Sequence, residues 1–289
     1  MKAIVAGGTG FLGSALAASL RVGGHDVLVM TRQPKGGNDV PWTDPSVFDG
    51  ADAVINLAGE PLDAGRWTGA RKASILDSRI HATETIVKSI SSVTRRPAVL
   101  LNASAIGVYG AHGSEALTED SPSGSDFLAS VCVKWEAAAM AAAWTTRVVL
   151  LRTGLVLDRT GGALPKLARP FKLFAGGRVG SGDQYWSWIH RDDWTRLVRW
   201  AIDTAEVKGP INLTAPSPVT NREFTDALAR ALHRPALAPA PAFALRLALG
   251  EMADAMILSG QRVLPATATR SGFEFRYPDL ESALRQIYR

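Results

Sequence analysis

Cysteine is nearly absent from this chain: Cys132 is the only one in 289 residues. That excludes an intrachain disulfide and fits a reducing compartment, so a cytoplasmic protein is expected. Long apolar runs are missing too, and none approaches the ~20 residues that a membrane-spanning helix requires. The apolar opening segment breaks into glycines after a few residues, unlike a signal peptide. Histidines and carboxylates do not gather with the cysteine at ligand spacing, so no metal site is expected. Repeats, charge blocks and low-complexity tails are absent as well. The net charge of +5 permits nucleic-acid binding, yet lysines and arginines are scattered. An anionic cofactor or substrate accounts for the excess equally well, and no nucleic-acid or membrane partner is expected. What remains is a globular composition, 46% hydrophobic and 20% charged, in a chain long enough to bury a large core.

The strongest positive signal is the opening stretch MKAIVAGGTGFLG. Lys2 to Ala6 is long enough for one buried strand. Gly7, Gly8, Gly10 and Gly13 follow, and Phe11 to Leu20 reads as an apolar-faced helix. Strand, glycine turn and helix in that order make G-x-G-x-x-G a dinucleotide signal. One glycine lets the chain turn tightly, the next lets backbone approach a pyrophosphate, and the last lets helix pack on strand. The helix N-terminus offers free N–H groups and a positive dipole end to the phosphates. Cofactor contacts are therefore expected from Gly7, Thr9, Gly10, Phe11, Leu12 and Gly13.

Further apolar runs alternate with helical patterns. Asp26 to Thr31, Asp52 to Ala58, Ala98 to Ser104 and Arg147 to Leu151 read as strands. Gly69 to Val93 and Phe127 to Trp144 read as helices. This rhythm predicts an α/β fold, a Rossmann-type doubly wound parallel sheet whose ligand lies beyond the carboxyl ends of the strands. Past Thr153 glycine pairs break the chain around one helix near Leu164 to Phe174. Tyr185 to Ile189 and Ile211 to Thr214 read as further strands, flanking a helix from about Asp193 to Thr204. The expected division is a dinucleotide-binding domain over residues 1–155, with 185–214 returning to it. A smaller C-terminal substrate-side domain takes 156–184 and 215–289.

Cofactor choice turns on the end of the second strand, where a NAD-specific fold carries an acidic residue for the ribose 2′-hydroxyl. Here it reads Met30-Thr31-Arg32, and Asp26 lies at the strand's other end. A hydroxyl followed by a guanidinium suits a 2′-phosphate. Thr31 and Arg32 thus point to NADP(H), with a solvated surface arginine as the alternative for Arg32.

Several stretches resemble the extended short-chain dehydrogenase/reductase family, the epimerases and dehydratases. They are Gly7 to Gly13, Asp52 to Gly59 (DAVINLAG), Ser104 with Val108-Tyr109-Gly110, and Trp188-Ile189-His190 with Asp192-Asp193. More narrowly the chain resembles an atypical epimerase-like branch with a distinctive C-terminal domain, sometimes labelled cell-division inhibitor-like. Asn56 to Pro61, Ser78-Arg79-Ile80, Phe127 to Glu136, Gly260 to Pro265 and Tyr277 to Leu280 carry that closer likeness. The resemblance implies further cofactor contacts from Leu57, Ala58, Gly59, Arg79, Ala103, Ser104 and Leu155. It also implies a Tyr-x-x-x-Lys pair, tyrosine as general acid/base and lysine lowering its pKa. The aligned positions, counted from Glu136, are Leu128 and Cys132, and Lys134 lies on another helical face. The usual proton relay is missing.

Ser104, at the end of the fourth predicted strand, is where the family's catalytic serine stands; a serine satisfying backbone is the alternative. Tyr109, in the following loop, offers a phenol from a new direction, or packs as an aromatic. These two are the catalytic candidates. Cys132 among Leu128, Ala129, Val131 and Trp135 reads as a small core hydrophobe rather than a nucleophile. His190 is a helix cap or a substrate contact. Trp186 and Trp188 alternate on one strand face, lining the pocket or packing in the core. Arg79 is a phosphate partner or a surface ion pair with Asp77. The reading is an NADP(H)-binding oxidoreductase or epimerase-like enzyme on a small carbonyl or sugar-nucleotide-like substrate. A non-catalytic NADP(H) sensor is the alternative, and a homodimer is left open.

Overall fold

Successive residues of each central strand feed two different cores, which is why the strands are apolar throughout. Ala3, Val5, Val27, Val29, Ile55 and Leu101 point into one cluster, while Ile4, Ala6, Met30, Val54 and Leu100 point into the other. A pleated strand with both faces covered has to be apolar at every position. The computed structural model describes all 289 residues. Its main sheet holds seven strands: β1 Lys2–Ala6, β2 Asp26–Thr31, β3 Asp39–Pro41, β4 Ala53–Asn56, β5 Val99–Ala105, β6 Arg147–Thr153 and β7 Gly209–Leu213. Every pairing is parallel, in the order β7-β6-β5-β4-β1-β2-β3. Chain order reverses between β1 and β4, so the ligand crevice of a doubly wound sheet falls at their carboxyl ends.

The longer helices before the last one are α1 Phe11–Val22, α2 Gly69–Ser92, α3 Phe127–Met140, α4 Leu164–Lys172, α5 Arg191–Asp203, α6 Asn221–Leu232 and α7 Ala242–Leu249, of which α1, α2, α3 and α5 cover the sheet. Helices α1 and α5 bury Leu16, Leu20, Trp194 and Leu197 against one face. Helices α2 and α3 bury Ile86, Ile90 and Ala139 against the other. Truncating one fully enclosed side chain, Ile4→Ala for example, costs about 2–5 kcal/mol. Helices α2, α3 and α5 start where a side chain accepts a first-turn N–H: Thr68 from Arg71, Asp126 from Ala129, and His190 through Nδ1 from Asp192. No helix is long and apolar enough to cross a membrane.

Beyond the sheet, α4, α6 and the last helix Leu280–Ile287 enclose a third core of Leu157, Trp188, Phe224, Leu228 and Leu284. The segment read as one strand from Tyr185 to Ile189 divides at Ser187. Tyr185–Trp186 pairs antiparallel with Val219–Thr220, and Trp188–His190 pairs parallel with Leu155–Leu157. Neither joins the main sheet. Ser187 is drawn elsewhere, donating its hydroxyl to the Gln261 carbonyl and accepting the Val263 N–H. Trp186 and Trp188 both pack at this third core. Helix α3 ends at Met140 rather than Trp144, because the chain turns there to enter β6, leaving Trp144 exposed. Strand β3, only three residues long, carries no periodic pattern and escaped the reading of the sequence.

Candidate functional site

The glycine turn has two kinds of glycine. A Cβ on Gly13 would stand 2.3 Å from the Gly7 carbonyl oxygen, and Gly7, at φ +75, has backbone of Leu57 2.8 Å from its own absent Cβ. Those two are required by packing and conformation. Gly10 is different, since an added Cβ would meet only the Gly7 oxygen at 3.3 Å. The fold constrains Gly10 less tightly than Gly7 or Gly13. What it borders is the α1 N-terminus, where the N–H groups of Phe11, Leu12 and Gly13 have no backbone acceptor and no capping side chain. Three free donors, a positive dipole end and an open glycine make a cradle for a diphosphate.

Register places the other predicted contacts around that cradle. Met30 lies opposite Ala6, so Thr31 and Arg32 leave β2 beside Gly7. The Thr31 hydroxyl accepts the Gln33 N–H at 3.3 Å, and exposed Arg32 makes no hydrogen bond or ion pair. On the other side the Leu57 N–H donates to the Ala6 carbonyl. Buried Asn56 shapes the turn that follows, its Oδ1 accepting from Ala58 while Nδ2 donates to Thr83 and Asn102. Arg79 is neither a solvated ion pair nor bonded to Asp77. It donates to the carbonyls of Ile75 and Glu60, stacks over Trp135 at 5.1 Å and packs against Gly59. Burial lowers its pKa. Gly7, Leu57, Ala58, Ala103 and Leu155 are half-buried, and Thr9, Gly10 and Gly59 are exposed.

The β5–β6 end carries a closed polar frame. The Ser104 hydroxyl donates to Glu136 Oε1 at 2.6 Å, and Arg152 grips both Glu136 oxygens at 2.9 Å. Arg152 also donates to the Tyr109 oxygen at 3.0 Å, and Tyr109 donates to Asn212 Oδ1 at 2.7 Å. The Asn212 N–H donates onward to Glu119. This overturns Tyr109 as an acid facing the pocket. Its ring is wholly buried, its hydroxyl has both partners, and burial pushes its pKa up. The signal that Arg152 and Glu136 would meet was weak, because sixteen residues and two different elements separate them.

Helix α3 has no tyrosine, and its one lysine, Lys134, faces solvent. Leu128 lies over Gly107, and Cys132 joins a small core with Val108, Leu117 and Val263. Desolvation raises the Cys132 pKa to about 11, so the group is a neutral thiol and no nucleophile. His190 caps α5 and its Nε2 lies 2.9 Å from Gln286, which leaves no ring nitrogen for a substrate.

Sheet order, glycine cradle and the crevice between β1 and β4 define a dinucleotide-binding protein of the epimerase type. The chain belongs to the NAD dependent epimerase/dehydratase family, which it matches over residues 3–213, and residues 240–287 match a domain of unknown function, DUF1731. An epimerase family protein of Mycobacterium bovis is 42% identical over 97% of this chain and 95% of its own. The human epimerase family protein SDR39U1 is 35% identical, with 99% of each chain covered. A crystal structure of that human protein (isoform 2) with NADPH superposes with a TM-score of 0.95 at 34% identity, covering 100% of this chain and 99% of the other. MoeE5 with UDP-glucose and NAD shares the fold at a TM-score of 0.78 and 19% identity, over 100% and 97%.

Proposed function

We propose that the protein is an NADP(H)-dependent, epimerase-like oxidoreductase acting on a small carbonyl or sugar-nucleotide-like substrate. One observation carries the cofactor choice: Arg32 leaves β2 exposed and unpartnered, with no carboxylate there to hold a ribose 2′-hydroxyl. A planar guanidinium fits a 2′-phosphate, and the NADPH of the human relative's structure supports the same choice. Gly7, Thr9, Gly10, Phe11, Leu12 and Gly13 would hold the diphosphate, and Thr31 and Arg32 the adenosine side. Leu57, Ala58, Gly59 and Arg79 would wall the crevice, with Ala103, Ser104 and Leu155 at the nicotinamide end. The bound cofactor supplies or accepts hydride.

Ser104 is the catalytic residue of this reading. With its proton directed at Glu136, the Ser104 oxygen can still act as an acceptor, and it would take a hydrogen bond from a substrate hydroxyl. A proton leaving that hydroxyl passes to Ser104 Oγ as the serine proton passes to Glu136. Carbonyl reduction runs the same transfer backwards. Arg152 holds Glu136 in place for it. NADPH consumption over a panel of carbonyls tests the proposal. Ser104→Ala should cut turnover by about 10²–10⁴ with NADPH affinity unchanged, and full turnover in that variant refutes the relay. A non-catalytic NADP(H) sensor is the second reading, favoured by the 4% exposure of Ser104 and the enclosed Tyr109 hydroxyl. Tight NADPH binding with no turnover across the panel would establish it.

A further inference from the structure

A groove of about 730 Å³ runs between α1 and α5 on the side turned away from the sheet. Its α1 wall is small and polar, Ser14, Ala15, Ala18 and Ser19, on the opposite flank from the buried Leu16, Ala17 and Leu20. The facing wall carries four arginines, Arg191, Arg196 and Arg199 from α5 and Arg276 from the C-terminal segment, together with Asp192 and Thr195. Only one end of the groove reaches the glycine turn, at Thr9 to Phe11. Most of it therefore lies outside the cofactor crevice.

Two of the four arginines are ion-paired and two are not. Arg191 pairs with Asp158 at 3.1 Å, and Arg196 pairs with Asp193 at 2.8 Å while stacking over Phe273. Arg199 has the Ser19 hydroxyl as its one hydrogen-bond partner, at 3.4 Å, while its Nη2 lies against Gly23, and the Arg276 side chain has no hydrogen-bond or ion-pair partner. Asp192 is the one carboxylate on the groove wall. Asp193 is fully buried, and besides Arg196 its oxygens accept the backbone N–H groups of Arg276 and Tyr277 at 2.9 and 2.7 Å. That buried carboxylate ties the C-terminal segment to α5 and so sets Arg276 beside the other guanidiniums. Gathering like charges in one concavity is unfavourable unless an anion offsets it, and guanidinium forks suit phosphate oxygens.

We propose that the α1–α5 groove is a second ligand site, separate from the cofactor's, for a small molecule bearing two or more phosphate groups. Arg199 and Arg276 take the phosphates, with Arg191 and Arg196 alongside. The volume falls in the range of small-molecule pockets, roughly 300–1,000 Å³. The arginines converge on one concavity rather than spreading along a stripe, as a nucleic-acid backbone requires.

Calorimetric titration of the full-length protein with inorganic pyrophosphate, with and without saturating NADPH, tests this. Saturable binding is expected in both conditions. Arg199→Ala or Arg276→Ala should weaken it about tenfold or more, the worth of a hydrogen bond to a charged group. Both variants should keep the wild-type melting temperature and NADPH affinity, and Arg32→Ala should leave pyrophosphate binding intact. Absence of saturable binding to the wild type overturns the proposal, as does equal affinity in wild type and both variants. Loss of binding when NADPH is present also overturns it, because the anion would then sit at the glycine turn. A duplex oligonucleotide that binds more tightly than pyrophosphate, through the same two arginines, overturns the small-molecule assignment.

Discussion

The glycine turn and the β5–β6 polar frame stand at the same end of one sheet and follow opposite rules. At the turn, polar groups are left without partners: three first-turn N–H groups of α1 and the Arg32 guanidinium. In the frame, Ser104, Glu136, Arg152, Tyr109 and Asn212 bond to one another in an unbroken series. Donors at the mouth of a crevice can be met by a ligand, whereas those enclosed in the frame have to find partners inside the protein. The difference separates residues that meet a ligand from residues that hold the site's shape. Ser104 belongs to the frame and reaches its edge.

Breaking the frame should have the largest effect. Glu136→Ala strands the Arg152 charge with both members of the pair nearly enclosed. Removing one partner of such a pair costs about 3–5 kcal/mol, to be read as a lowered denaturant midpoint. A loss below ~1 kcal/mol would mean the frame is open to water. Breaking the turn should leave stability alone and change affinity instead. Arg32→Ala should weaken NADPH by about 1.5–3 kcal/mol, the range for hydrogen bonds to charged groups, and NADH hardly at all. Equal losses for the two cofactors in calorimetry would refute the 2′-phosphate assignment.

Tyr109→Phe sharpens the comparison, because a structural phenol and a catalytic one respond differently. It should cost about 1–3 kcal/mol of stability by unpairing Asn212 and Arg152, with turnover at permissive temperature unchanged. A large fall in turnover at unchanged stability would return Tyr109 to the pocket. Cys132 gives the smallest effect. Its thiol should resist alkylation near neutral pH in the folded protein, since it ionises only near pH 11. The unfolded thiol ionises near 9, so the folded state binds the proton more tightly. That contribution to stability is complete below pH 9 and fades as pH rises toward 11. Rapid labelling at neutral pH without unfolding would contradict the burial.

Continuous segments were legible in the sequence because their signals are local. Strand, glycine turn and helix follow one another without a break from Lys2 to Val22, and the central strands announce themselves as unbroken apolar runs. The shorter strands did not, since two or three residues carry no period: Asp39–Pro41, Val219–Thr220 and Arg262–Val263 exist only through their partners. Tyr109 was misplaced for a related reason. It closes the single 3-10 turn Ile106–Tyr109, and which way such a turn aims its last side chain depends on what packs above it.

The amino-acid order alone determined the parallel α/β fold, the place of the dinucleotide crevice and the lack of a tyrosine–lysine pair on α3. Each follows from hydrophobic period, glycine position or residue identity within one element. The frame and the arginine groove were decided by the tertiary structure. Tyr109 and Asn212 lie 103 residues apart and Asn212 and Glu119 lie 93 apart. The groove exists because buried Asp193 captures backbone 83 residues further along. Side chains that distant become neighbours only when the sheet and its flanking helices have packed, and burial then forces each polar group to take the partner that packing supplies.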